Sequence, residues 1–101
     1  MKRLSNRQEQ IMVCLWENGP LTVAQILSFL NDRLHQNTVS TFVRGLEKMG
    51  LINHSSGLKP YIYYATLRRE QYIYYIINDV INTYFNGKKD VLIRYITNQN
   101  I

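Results

Sequence analysis

Cysteine is almost missing from this 101-residue chain: Cys14 stands alone, which excludes an intrachain disulfide and suits a reducing compartment. It sits among apolar residues at helical spacing, the position of a buried core thiol. Long apolar runs are missing too. No stretch approaches the roughly 18 residues needed to span a bilayer, and Met1-Lys2-Arg3-Leu4 leads straight into a helix start without the apolar stretch of a signal peptide. No membrane partner is expected, and the expected location is cytoplasmic. A glycine-rich phosphate loop, a cysteine pair and a metal-ligand cluster are all lacking. His35 and His54 are read as surface residues in separate turns, with no carboxylate at useful spacing. Catalysis, a metal and a cofactor are therefore not expected. Acidic residues are also few, 7 against 12 Lys and Arg, for a formal net charge of +5. That balance suits a polyanion such as DNA without requiring one.

What is present suffices for a core: 46% of residues are hydrophobic and 19% charged, a composition unlike that of a disordered chain. Ser5-Asn6-Arg7-Gln8 reads as a capping box, after which Ile11, Met12, Leu15 and Trp16 recur at helical spacing. Asn18-Gly19-Pro20 stops that helix. Thr22-Val23-Ala24-Gln25 is a second capping box, opening a short helix with Val23, Ile26, Leu27 and Leu30 on one face. A polar turn from Asn31 to about Gln36 leads to a third helix, from about Asn37 or Thr38 to Met49, ended by Gly50. Its buried stripe is predicted to be Val39, Phe42, Val43 and Leu46. Two strands are predicted near Leu51–His54 and Tyr61–Ala65, around the turn-rich tip Ser55-Ser56-Gly57-Leu58-Lys59, with Pro60 opening the return strand.

Residues 1–66 thus read helix, helix, turn, helix, hairpin, the order of a winged helix-turn-helix. The expected fold is mainly α (α+β), with residues 67–101 as a helical dimerisation arm. There Tyr72, Ile76, Val80 and Tyr84 repeat every four residues, with Ile73, Ile77, Ile81 and Phe85 beside them, on a helix from about Arg69 to Phe85. Asn86-Gly87 breaks it. A last short helix, about Lys89 to Thr97, adds Val91, Leu92, Tyr95 and Ile96. So much apolar surface on so small a domain needs cover, and a second copy of the chain is the simplest.

In a helix-turn-helix the third helix enters the major groove while its rear packs on the core. With the stripe inward, Asn37, Thr38, Ser40, Thr41, Arg44 and Lys48 face out. Asn pairs with adenine, and Thr offers a hydroxyl and a methyl. Arg44 reaches guanine or a phosphate, and Lys48 suits phosphate. Lys59 at the wing tip is a candidate for a flanking phosphate or the minor groove. A solvated helix face is the plain alternative for these residues. The tyrosines could stack on single-stranded bases, but their positions on the strands and the long stripe favour core and dimer packing. Thr22 could help dock a phosphate, although its better-supported role is the cap. Gly45 in mid-helix costs about 1 kcal/mol against alanine and either permits close approach to DNA or has no role.

Leu4-Ser5, Ile11-Met12, Leu15-Trp16 and Gly19-Pro20-Leu21-Thr22-Val23 resemble the opening of the penicillinase-repressor family (the BlaI/MecI type). The resemblance runs on through Asn37-Thr38-Val39-Ser40-Thr41, Leu46-Glu47-Lys48-Met49-Gly50-Leu51, Tyr61-Ile62-Tyr63 and Tyr84-Phe85-Asn86-Gly87. It implies a winged-helix DNA-binding domain and a helical dimerisation region. It further implies repression of genes for beta-lactamase or an alternative penicillin-binding protein, with a membrane sensor protease as upstream partner. By position, Thr38, Ser40, Thr41 and Arg44 fall where the family's recognition helix faces DNA. The chain departs from the family at His35-Gln36 before the third helix and at Arg44-Gly45 within it. Arg94-Tyr95 stands where inducible members carry a cleavable Asn-Phe bond, which leaves proteolytic induction at or near that bond an open question. The chain stops at Ile101 where members usually add a helix, which implies a trimmed chain or a smaller dimer. The paired cysteines of the copper-responsive branch are absent.

The expected function is steric repression by a homodimer on double-stranded operator DNA, with recognition helices in major grooves ~34–36 Å apart. The competing class is a winged helix used as a protein-interaction adaptor without DNA affinity. A regulator with a small-molecule effector ranks lower, since no polar pocket is evident.

Overall fold

The computed structural model describes residues 1–30 and 33–98. Asn31 and Asp32, the start of the expected polar turn, lie outside the described residues. Seven elements follow in order: α1 (Asn6–Asn18), α2 (Val23–Phe29), α3 (Gln36–Lys48), β1 (Ile52–His54), β2 (Tyr63–Ala65), α4 (Arg69–Tyr84) and α5 (Lys89–Thr97). The fold is a winged helix-turn-helix, mainly α with a two-stranded antiparallel sheet, followed by two more helices.

Local chemistry sets the helix starts. Ser5 Oγ accepts from the Gln8 amide at 3.2 Å and Gln8 Oε1 accepts from the Ser5 amide at 2.9 Å. Thr22 and Gln25 repeat the arrangement at 3.2 and 2.9 Å. Such caps satisfy amides that the first helical turn leaves open, each worth about 1 kcal/mol. Gly19, at φ 79°, closes α1 by donating to the Leu15 carbonyl at 2.9 Å.

The core of the unit Lys2–Arg69 is drawn from every element in it. Ile11, Met12, Ile26, Val39, Val43, Leu46 and Ile52 are fully buried. Phe42, expected in the α3 stripe, is only half-buried, as are Val23, Leu27 and Leu30 beside buried Ile26. Trp16 Nε1 donates to the Leu67 carbonyl at 2.8 Å, fastening the segment after the wing to α1. Cys14 is buried, and burial pushes its thiol above its ordinary pKa.

The elements differ from expectation at several ends. The His35 carbonyl already accepts from Thr38 and Val39, so α3 starts at Gln36, and Met49 is its cap rather than its last residue. β1 and β2 pair only as Ile52 with Ala65, Asn53 with Tyr64 and His54 with Tyr63. Leu51 stays outside because its carbonyl takes the amides of both Thr66 and Leu67. At the other end the Ser55 hydroxyl takes the Ile62 amide at 3.3 Å. A side chain there replaces a backbone partner, so the return strand begins at Tyr63, not near Pro60. Leu21, just before α2, exchanges two backbone hydrogen bonds with Tyr63 at 2.9 and 2.8 Å. That bridge ties the approach to α2 onto the wing.

The unit from Glu70 onward holds the rest of α4, and α5. α4 stops at Tyr84, one residue before Phe85, because Asn86 and Gly87 both adopt positive φ (53° and 77°). The Phe85 and Gly87 amides both donate to the Ile81 carbonyl at 3.0 Å, closing the helix. Phe85 and Tyr95 then meet with ring centroids 5.5 Å apart.

Candidate nucleic-acid interface

An α-helix advances 100° per residue, so burying Val39, Val43 and Leu46 forces the positions between them outward. Asn37, Thr38, Thr41, Arg44 and Lys48 are exposed and Ser40 is half-buried. Asn37, Thr41, Arg44 and Lys48, spaced four, three and four apart, share one polar face. Within it the Thr41 hydroxyl donates to the Asn37 carbonyl at 2.9 Å, and Arg44 Nη2 donates to Thr41 Oγ1 at 3.5 Å. The first bond commits Thr41's proton inside the helix, which leaves its oxygen as acceptor and its methyl for an apolar contact. The second is long enough for the guanidinium to give it up for a stronger acceptor.

An open cleft of about 640 Å³ runs along this face. Asn37, Ser40 and Arg44 line it from α3, Thr22, Val23 and Ala24 from the start of α2, and Lys59, Pro60 and Tyr61 from the wing. It brings together four of the residues singled out in the sequence, Asn37, Ser40, Arg44 and Lys59. Thr38, Thr41 and Lys48 are exposed on α3 but do not line it. Two cations, Arg44 and Lys59, stand among hydroxyls and amides, and none of the described residues that line the cleft is acidic. Thr22 sits at the rim as the α2 cap. A Cβ built at Gly45 meets no heavy atom within 4 Å, so packing inside the protein does not require glycine there.

The acidic residue of this stretch points the other way. Glu47 turns toward the hairpin, where its carboxylate oxygen Oε2 meets His54 Nδ1. Since a carboxylate only accepts, the proton lies on that ring nitrogen. This corrects the placement of His54 in a surface turn without a carboxylate: it ends β1, half-buried and paired. The link was obscure because it spans seven residues and depends on the reversal at Gly50, whose φ is 80°. His35 is exposed before α3 and makes no side-chain cap. Tyr61 stacks on His54, centroids 4.3 Å apart at 27°, and Lys59 Nζ lies 5.8 Å from the Tyr61 ring centroid. Tyr63 lies beneath, 5.5 Å from His54; burial, reinforced by the negative charge of Glu47, pushes its hydroxyl above its ordinary pKa.

The residues proposed for self-association divide by burial. Tyr72 and Ile81 are buried within the single chain, and Ile76, Val80, Phe85 and Leu92 are half-buried. Ile73, Ile77, Tyr84, Tyr95 and Ile96 are exposed. An apolar groove of about 460 Å³ between α4 and α5 is lined by Val80, Tyr84, Phe85, Leu92, Tyr95 and Ile96. Among the described residues no helix is long and apolar enough to cross a membrane, and no group of acidic, His and Cys side chains is placed to hold a metal.

A family model described as penicillinase repressor matches residues 4–101. No curated protein matches the chain. Among solved structures, a MarR family protein from Bacillus stearothermophilus superposes on 95% of this chain and 70% of its own, with a TM-score of 0.60. At 18% identity that likeness shows the fold.

Proposed function

The chain belongs to the penicillinase-repressor family, and from that premise we propose that it represses transcription as a homodimer on a pseudo-palindromic operator. Membership makes it a DNA-binding transcription regulator rather than an enzyme. The observation that carries the finer reading is the cleft that joins Asn37, Ser40 and Arg44 of α3 to Lys59 of the wing.

In this reading α3 lies in the major groove. Asn37 and Ser40 read base edges, with Thr38 and Thr41 adding hydroxyl and methyl contacts. Arg44 binds a guanine edge or a phosphate, Lys48 a phosphate further along, and Lys59 the backbone or minor groove beside the site. Residues 1–66 serve as the DNA-binding domain and residues 67–101 as the dimerisation region. The exposed apolar side chains Ile73, Ile77, Tyr84, Tyr95 and Ile96 are covered by the same surface of a second chain, the isologous arrangement that gives two recognition helices two-fold symmetry. The protein acts in the cytoplasm on genes of antibiotic resistance, the class that the family resemblance implies. A sensor protease belongs to the scheme only if it accepts a bond other than Asn-Phe. Arg94 and Tyr95, at that position, are exposed but helical, so cleavage there requires α5 to unwind locally.

The test is a fluorescence-anisotropy titration of a labelled duplex from the chain's own promoter region against a random duplex, at two salt concentrations. Tight, selective and salt-sensitive binding of two chains per site is expected. Absence of binding to either duplex refutes the reading and leaves the adaptor.

A further inference from the structure

Lys59 sits on an exposed turn, where a lysine side chain ordinarily samples many rotamers and loses them all on docking. Here the turn is not left to itself. Lys59 Nζ lies over the Tyr61 ring, Tyr61 stacks on His54, and His54 meets the Glu47 carboxylate in the last turn of α3. Lys59 Nζ lies within the ~6 Å reach of a cation over an aromatic face, the Tyr61 and His54 rings are in stacked contact at 4.3 Å, and the Glu47 carboxylate closes on His54 Nδ1. One relay of four side chains therefore joins the back of the proposed recognition helix to the wing cation.

The geometry points to Glu47 as a positioning residue for DNA binding, acting through His54 and Tyr61 to hold Lys59 beside the cleft. Glu47 touches no DNA in this arrangement. It fixes the His54 ring by accepting from Nδ1, the ring supports Tyr61, and Tyr61 presents Lys59 at a set distance from Arg44 across the cleft. The inference rests on the reading of Lys59 as a DNA contact. It adds that the contact is preorganised from α3, so that groove reading and wing docking are one rigid act.

Simple electrostatics and positioning predict opposite signs. Removing a carboxylate from a DNA-binding domain raises its positive charge and by itself tightens binding. Loss of a positioning group weakens it. The experiment compares Glu47→Ala, Glu47→Gln, Tyr61→Leu and Lys59→Ala in the full chain, each checked for an unchanged fold by circular dichroism. Operator affinity is measured at 50 and 200 mM salt, and the Lys59 side-chain protons are followed by NMR.

Glu47→Ala and Tyr61→Leu are expected to weaken binding and to lower the salt slope by about 0.9, the contribution of one phosphate contact. Their affinity deficit relative to wild type then shrinks about 3.5-fold between the two salts. Glu47→Gln, whose amide oxygen still accepts from His54, is expected to restore most of both. The upfield ring-current shift of the Lys59 protons is expected in the wild type and in Glu47→Gln, and lost in Glu47→Ala. Unchanged or tighter binding by Glu47→Ala, with Lys59→Ala still weakened, overturns the positioning role and leaves the Lys59 contact standing. Unchanged affinity in Lys59→Ala overturns both. Retention of the ring-current shift in Glu47→Ala overturns the relay whatever the affinity.

Discussion

Replacing Ile77 by glutamate puts the proposed dimer to its most direct test. Ile77 is 46% exposed on α4 in the single chain, so about half its burial is still to be gained from a partner. Full burial of an isoleucine side chain is worth roughly 1.5–3 kcal/mol, which leaves about 1 kcal/mol per chain. A two-fold interface counts it twice, so about 2 kcal/mol disappears with the apolar group alone, close to a 30-fold rise in Kd. A carboxylate in that interface adds a desolvation cost of several kcal/mol per ion unless the dimer opens to hydrate it. Micromolar Ile77→Glu is therefore expected to sediment as a monomer, with helix content unchanged because the position is already open to water and glutamate favours helix slightly over isoleucine. Ile77→Ala, lacking the charge, is expected to show only the smaller loss. Asn78→Glu, about 100° further round the same helix, is expected to leave association intact. Sedimentation velocity with operator titration of the same samples checks all three. A dimer that survives Ile77→Glu places the interface elsewhere and refutes the assignment of this stripe.

Arg44→Ala is expected to weaken operator binding about 5- to 150-fold if the guanidinium reads a base, at 1–3 kcal/mol, or to cut the salt slope by about 0.9 if it binds phosphate. Stability should move by less than about 0.5 kcal/mol, because the side chain is exposed; unchanged anisotropy curves remove Arg44 from the site. Gly45→Ala fills open space and is expected to stabilise the fold by about 1 kcal/mol in urea melts, while an accompanying loss of DNA affinity identifies close approach of the backbone as the reason for glycine. Ile26→Ala, at a fully buried position, is expected to cost about 2–5 kcal/mol, and a smaller loss means that the core closes over the gap. Cys14 and Tyr63 both have raised pKa values in the folded chain, from ordinary values of 9.0 and 10.0. The folded state therefore keeps protons that the unfolded chain releases, so stability is full below about pH 9 and falls as pH rises through the raised values. Urea melts that show no loss between pH 7 and pH 10.5 contradict this, and Cys14→Ala is expected to remove part of the fall.

Elements set by neighbours in the chain were the ones open to reading in advance. The Ser5–Gln8 and Thr22–Gln25 boxes act across three residues, Gly19 acts on its own helix end, and Lys89–Thr97 appears as expected. The polar face of α3 was equally legible, because burial of Val39, Val43 and Leu46 dictates what faces out. The strand ends were not. They depend on which partner takes the Ile62 amide and how many amides the Leu51 carbonyl accepts, and periodicity does not encode such competition. Phe42 lies in the α3 stripe yet is only half-buried for a related reason: a stripe gives direction, while burial depends on what packs above it.

The chain alone determined the order of helices and hairpin, the positive balance and the residues that α3 presents. These follow from short-range rules, helical repeat, capping and composition, that need no distant partner. Tertiary structure decided the rest: the bridge from Leu21 to Tyr63, the Trp16 bond to Leu67, the cleft joining Arg44 to Lys59, and the pairing of Glu47 with His54. Each joins residues whose meeting depends on how the chain reverses between elements. Sequence spacing shows which side of a helix or strand a residue occupies, but only the closed fold shows what stands opposite.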